Sequence, residues 1–285
     1  MLPRKMFFPI GGGKELEERI YGALLVAKYF NTHLEILISL ADSSMTSDNG
    51  RGMGLPDDVL DRLNSIHLEN VKQEKHKHEV IFTQCLKKLD ITPSENAIKG
   101  KATAHLTMGV GVRSTLVAQQ SKFCDMVIAA APPEGETTAT FEATVVESGK
   151  PVMVIPRKMT EFKIEDIMIG WNNSPESSRA ISEAIPLLKK AKRVHIVSSK
   201  AYTTETLSRI ADLRKYLAIH EIETTFELVK TTLIPGEALL KNAQKGGFDL
   251  IVAGAYGHKG LKEVMFGGSG RYLLEHTTIP TLVSH

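Results

Sequence analysis

The chain has 285 residues, 42% of them hydrophobic and 24% charged, which excludes a disordered protein and indicates a soluble globular one. Its net charge is +2 and no basic stripe with interleaved aromatic residues occurs, so we expect no nucleic-acid partner. No apolar run approaches the roughly 20 residues of a membrane span, and the start lacks a secretory signal pattern, so we expect no membrane partner. Cys85 and Cys124 are the only cysteines, which favours a cytoplasmic location and a core-filling role for both.

The first elements of the chain occur twice. Residues 5–39 parallel residues 165–199, since each has a short apolar run, a turn of glycine or small polar residues, a helical pattern and a second apolar run. Between the two copies, residues 40–57 are rich in turn formers and predict a loop, and residues 59–89 predict a long charged helix. His76 and His78 on that helix suggest a metal site, but residues two apart do not share a helix face, so a solvated face is favoured.

The closing segments of the two halves also match. Residues 123–133 parallel residues 247–257, each with an aspartate ahead of an apolar strand, and these aspartates are Asp125 and Asp249. Residues 145–156 parallel residues 273–285, each the end of a helix followed by a last strand that a proline precedes.

Apolar strands that alternate with amphipathic helices predict an α/β fold. We expect two tandem domains, residues 1–156 and 165–285, joined by a linker at residues 157–164. Each domain is predicted to be an open parallel five-stranded sheet with helices on both faces.

Two turns of the second half fall at the carboxyl ends of its strands, where ligands bind to sheets of this kind. One turn is residues 170–177, and the other is residues 254–271, which contain six glycines. Glycines allow a ligand to approach the backbone closely, and the first amides of a helix at residues 271–276 would attract an anion. The alternative is that the glycines only form tight turns, and composition alone does not separate these readings.

The glycine spacing makes the second half recognisable. Gly254, Gly257 and Gly267 fit the G-x2-G-x9-G pattern of nucleotide-binding members of the universal stress protein family, which the second half resembles over most of residues 165–285. The first half resembles the family more faintly, through its strand ends and the proline before its last strand. The whole chain therefore looks like a tandem universal stress protein.

The resemblance implies a Rossmann-like fold, of the adenine nucleotide alpha hydrolase kind, that binds ATP, with Mg²⁺ as a companion ion. It also implies a role in stress survival, without efficient catalysis, and pairing of the last strands at residues 151–155 and 280–284 into a pseudo-dimer. A homodimer of the whole chain stays open. The nucleotide-binding residues that the resemblance implies are Asn172, Asn173, Ser174, Gly254, Gly257, His258, Gly267, Gly268, Ser269 and Gly270.

The chain departs from the family pattern at several of these positions. Asn172 and Asn173 stand where the family has Asp and Gly, and Gly268 and Gly270 stand where it has hydroxyl residues. Each lost neutral hydrogen bond removes about 0.5–1.5 kcal/mol, so we expect ATP binding to be weakened but retained.

The first half departs further. Residues 129–144 replace the glycine motif and contain Pro132 and Pro133, which lack amide donors, while Glu134 and Glu136 would repel phosphate. We therefore expect the nucleotide in the second half and none in residues 1–156, where the glycines of residues 9–15 are read as a turn.

No catalytic set emerges, because Ser174 lacks a matching His and Asp, and His258 reads equally well as a solvated loop residue. We expect a sensor or regulator rather than an enzyme. The alternatives are an interaction module that has lost its ligand and, less favoured, a slow phosphohydrolase.

Overall fold

The structure is a computed structural model, and it describes residues 2–11, 13–40, 56–133, 137–199, 204–230, 234–255 and 268–285. The first half contains β1 (Lys5–Ile10), α1 (Leu16–Phe30), β2 (His33–Leu40), α2 (Asp57–Leu89), β3 (Thr92–Pro93), β4 (Thr103–Val110), α3 (Arg113–Gln120), β5 (Met126–Ala130), α4 (Ala139–Glu142), which a π-helical turn continues, and β6 (Val152–Ile155). The second half contains β7 (Asp166–Gly170), α5 (Pro175–Leu188), β8 (Arg193–Ser199), α6 (Thr204–Ile219), β9 (Thr225–Val229), α7 (Pro235–Gly246), β10 (Leu250–Gly254), α8 (Gly268–His276) and β11 (Thr281–Ser284).

The strands of the described residues form one sheet in the order β3-β4-β2-β1-β5-β6-β11-β10-β7-β8-β9. Apart from the two-residue β3, both halves have the same strand order. In the first half β1 lies between β2 and β5, and in the second half β7 lies between β8 and β10. All neighbours within a half are parallel, whereas β6 and β11 are antiparallel, with Leu282 opposite Met153. The predicted α/β fold with parallel sheets is confirmed, and the order reverses between β1 and β5 and between β7 and β10.

The two matching aspartates hold the same position in their halves. Asp125 Oδ2 accepts hydrogen bonds from the backbone amides of Arg4 and Lys5, at 2.8 and 3.0 Å. Asp249 Oδ2 accepts from the amides of Glu165 and Asp166, at 3.2 and 3.1 Å. Asp125 therefore fastens the start of β5 to the start of β1, and Asp249 fastens the start of β10 to the start of β7. This shared contact is why the aspartate recurs in the sequence.

The hydrophobic core continues from one half into the other. On one face of the sheet, Phe7 and Val152 of the first half belong to the same buried cluster as Leu274 and Val283 of the second. On the other face, Leu282 is fully buried in a cluster that also contains the inward-facing side chains of β1 and α1. The junction of β6 and β11 is thus covered on both faces, as a central strand pair would be.

The segment predicted as a linker, residues 157–164, packs against α1. Met159, Phe162 and Ile164 are buried. The ring of Phe162 lies edge-on to that of Tyr29, with 5.2 Å between the centroids. Its apolar side chains follow no simple period, so the sequence gives little sign of this contact.

Helix α2 begins two residues before its predicted start and ends where the sequence predicts. His76 is exposed, as expected, but the expectation of a solvated face is wrong for His78, which is 2% exposed and bonded through Nδ1 to the Glu74 carbonyl at 2.7 Å. Within the described ranges, no group of three His, Cys, Asp or Glu side chains is placed to hold a metal. Most of the predicted loop, residues 41–55, lies outside the described residues.

Both cysteines fill the core, as predicted. They are free and buried, and burial raises the pKa of Cys85 to about 11 and that of Cys124 to about 12. Thiols with such pKa values are poor nucleophiles at neutral pH. None of the described helices is both long and apolar enough to cross a membrane.

Candidate functional site

The turn after β7 is organised by its own side chains. The Asn172 side-chain oxygen accepts a hydrogen bond from the Ser174 amide at 3.2 Å. Asn173 adopts a left-handed conformation with φ of 61°, which asparagine tolerates better than most residues. The asparagine pair therefore shapes this turn, at the position where the family pattern has Asp and Gly.

Ser174 caps helix α5. Its hydroxyl accepts from the Ser177 amide at 3.1 Å, and the Ser177 hydroxyl accepts from the Ser174 amide at 3.1 Å, which completes a capping box. The predicted site residues Asn172 and Ser174 thus already have hydrogen-bond partners within the turn.

Gly254 brings the end of β10 against the first turn of α5. A Cβ atom placed on Gly254 would lie 2.5 Å from the Ser177 amide nitrogen and 2.9 Å from the Glu176 carbonyl carbon. Only a residue without a side chain permits this approach of strand to helix. The structure therefore places the Asn172–Ser174 turn and Gly254 side by side, at the point where the strand order reverses.

The first turn of α5 also carries a buried negative charge. Glu176 is 1% exposed, and its Oε1 lies 3.6 Å from Nη2 of Arg179. A carboxylate at a helix N-terminus interacts favourably with the helix dipole, so it already provides the charge that a bound anion would bring there.

The last helix differs from the sequence expectation at its start. The prediction placed Gly268, Ser269 and Gly270 ahead of a helix at residues 271–276, whereas α8 begins at Gly268. These residues therefore form its first turn. The sequence did not show this, because glycines are not typical of a helix. Gly257, His258 and Gly267 lie outside the described residues.

A cavity of about 610 Å³ lies at the corresponding edge of the first half, beside the ends of β1 and β5. Its polar lining includes Arg19, Arg113 and Arg157, which come from α1, α3 and the segment after β6. Sequence reasoning missed these residues, since they are far apart in the chain and no spacing links them.

An open parallel sheet of this strand order, with turns at its carboxyl edge, defines a doubly wound α/β protein. Residues 163–285 match the model of the universal stress protein family. The second half of the chain belongs to that family, and the first half repeats its fold.

Two solved structures share the whole architecture. A universal stress protein from Archaeoglobus fulgidus DSM 4304 superposes with a TM-score of 0.71 at 14% identity, over 98% of this chain and 95% of that one. A functionally unknown protein from Pseudomonas aeruginosa PAO1 superposes with a TM-score of 0.54 at 17% identity, over 99% and 92%. At these identities the likeness shows the fold alone. No curated protein compared with the chain gives a significant match.

Proposed function

We propose that this universal stress protein binds an adenine nucleotide, ATP, weakly in its second half and acts as a cytoplasmic sensor or regulator of the stress response rather than as an efficient enzyme. The two halves act together as a pseudo-dimer. The observation that carries the proposal is the position of Gly254 beside the Asn172–Ser174 turn, at the reversal of strand order. Ligands of doubly wound sheets bind in the crevice at this point.

The first turn of α8 supplies the groups that a phosphate needs. The amides at a helix start have no partners within the helix, and those of Gly268, Ser269 and Gly270 are in this position. They attract anions whatever the side chains are, and two of these three residues are glycines that leave the approach open.

Three features weaken the binding. Asn172 cannot supply the carboxylate charge of the family's turn, and its side chain already serves the turn. Gly268 and Gly270 provide no hydroxyl. Glu176 adds a buried negative charge at the neighbouring helix start. Without the turn carboxylate, Mg²⁺ would be held mainly by the phosphates that it accompanies.

A second candidate function is an interaction module without a ligand. The hydrogen bonds of Asn172 and Ser174 within their own turn favour it, because these side chains need no ligand to satisfy them. The two functions differ in one measurable property, which is binding of ATP at millimolar concentration.

Restoring one hydroxyl tests the nucleotide proposal. Gly268→Ser is expected to raise ATP affinity by about tenfold, the effect of one regained hydrogen bond, as measured by calorimetry on the full chain. Gly268→Ala is the matched control, since it adds the same Cβ atom to the helix without a donor, and we expect no gain from it. If the wild-type chain binds no ATP at millimolar concentration and Gly268→Ser restores none, the interaction module is the better account.

A further inference from the structure

The cavity of the first half, which we call the arginine cleft, is lined on its polar side by Lys14, Glu15, Arg19, Arg113 and Arg157. Among the titratable side chains of the described lining, four are basic and one is acidic. The cleft lies where the strand order reverses between β1 and β5, and both α1 and α3 begin beside it. Their helix dipoles add to the positive potential there.

Two local differences between the halves lie beside the cleft. The turn from β1 to α1 spans residues 11–15, one residue longer than the turn from β7 to α5 at residues 171–174. Ala130 ends β5 where Gly254 ends β10, so a Cβ atom stands at the position where Gly254 allows the close approach of strand to helix.

Two of the arginines hold the walls of the cleft. Arg157 donates to the carbonyls of Ala131 and Lys14, both at 3.0 Å, and forms an ion pair with Glu15. Arg19 is 7% exposed and donates from Nη2 to the Gly11 carbonyl at 3.0 Å. Both guanidinium groups are therefore fixed in position before any ligand arrives.

The described lining of the cleft contains one carboxylate, that of Glu15. Ion pairs with Arg157 and Lys158 hold the pKa of Glu15 below its usual value, so its carboxylate stays ionised but is already paired. Burial, and then the positive charge of Arg157 and Arg113, lowers the pKa of Arg19 to about 10. Arg19 stays protonated at neutral pH, so basic groups outnumber acidic ones among the described residues of the lining.

Arg113 differs from the other two arginines. Its guanidinium lies against the backbone of Gly11, where an added Cβ atom would be 2.3 Å from Nη1. Its Nε atom is buried and has no hydrogen-bond partner in the described part of the chain. The side chain of Arg113 also lines the cleft, so an anion bound there would gain a guanidinium partner.

We propose that the arginine cleft binds a small organic phosphate, with Arg113 as the residue that contacts the phosphate group. Arginines from three separate segments of the chain line the cavity, and guanidinium groups match the oxygens of a phosphate well. The site does not use a glycine motif, and it differs from the sequence expectation that the first half holds no ligand.

The shape of the cleft indicates that the ligand also has an uncharged part. A volume of about 610 Å³ falls within the range of about 300–1,000 Å³ for small-molecule sites and exceeds what a single phosphate fills. The remaining wall combines the apolar Phe8 and Phe141 with the hydroxyl residues Thr138, Thr140 and Thr144. Such a wall fits the carbon skeleton of a phosphorylated metabolite.

The test is calorimetric titration of the full chain with inorganic pyrophosphate at low ionic strength. We expect binding in the millimolar range or tighter, and a loss of about tenfold or more in Arg113→Gln, the effect of one charge-assisted hydrogen bond. Arg113→Lys keeps the charge without the planar fork and should be intermediate. Lys122→Gln removes one charge from an exposed position just after α3 and should change affinity less than about twofold.

A second variant and a second probe separate the alternatives. Gly257→Val, which acts on the nucleotide proposal for the second half, should lower pyrophosphate binding less than Arg113→Gln does. The proposal is overturned if Arg113→Gln binds as tightly as the wild type, if Gly257→Val is the variant that loses binding, or if the wild-type chain binds no pyrophosphate at millimolar concentration. Tighter binding of citrate than of pyrophosphate would overturn the assignment to phosphate. Urea unfolding of each variant, with a midpoint near that of the wild type, establishes that the fold is retained.

Discussion

Leu282→Asp is expected to destabilise both halves of the chain together, by more than about 4 kcal/mol. Leu282 is fully buried on β11, opposite Met153 of β6, with β10 on its other side. Among the described residues, nothing offers a carboxylate at this position a counter-charge, and Leu282 is fully buried. Because the sheet and the core run through the junction, neither half keeps its packing when the strand pair is lost.

Urea unfolding followed by two signals measures this effect. Fluorescence of Trp171, the one tryptophan of the sequence, reports the second half, and far-ultraviolet circular dichroism reports both halves. We expect one shared midpoint in the wild type and a shared, lower midpoint in Leu282→Asp. Leu282→Ile, which conserves volume, should cost less than about 1.5 kcal/mol. The coupling of the two halves would be contradicted if, in Leu282→Asp, the fluorescence midpoint moved while part of the dichroism transition kept the wild-type midpoint.

Gly254→Ala is expected to lower the free energy of unfolding by about 3 kcal/mol. The added Cβ atom would meet the backbone of Glu176 and Ser177 at 2.9 Å or less, and backbone atoms of a helix cannot turn aside. Relief requires α5 to separate from β10, which opens the core beneath. Chemical denaturation of the variant gives the loss directly.

Gly170→Ala is the matched control for this substitution. It lies at the end of β7, beside β10, at the same edge of the sheet. Its added Cβ atom would meet the methyl groups of Leu239 at 2.8 and 3.3 Å, and a side chain that is only partly buried can rotate away. We expect a cost of less than about 1.5 kcal/mol here. Equal losses at the two positions would show that the close approach at Gly254 has no special importance.

The repeated architecture is readable from the sequence because it rests on local patterns. Apolar runs that alternate with helical periodicity specify parallel strands covered on both faces, and Asp125 and Asp249 recur because each performs the same backbone contact. The turn after β7 is also readable from the sequence, since asparagine, here Asn173, can replace glycine at a left-handed position.

The features that the sequence did not reveal depend on distant residues. The arginine cleft joins Arg19, Arg113 and Arg157, whose proximity arises only when the carboxyl ends of several strands meet. The burial of His78 likewise depends on packing rather than on helical spacing. The start of α8 was misplaced because helix propensity argues against Gly268 and Gly270, and tertiary packing of Leu273 and Leu274 overrides it.

Titration of the full chain with ATP, in the wild type, Gly257→Val and Arg113→Gln, tests the central claim most directly. The family's glycine motif brings phosphate against the backbone, and a valine side chain at residue 257 would fill that space. We expect weak binding by the wild type, a large loss in Gly257→Val and a smaller loss in Arg113→Gln. Wild-type affinity in Gly257→Val would contradict the assignment of the nucleotide to the second half.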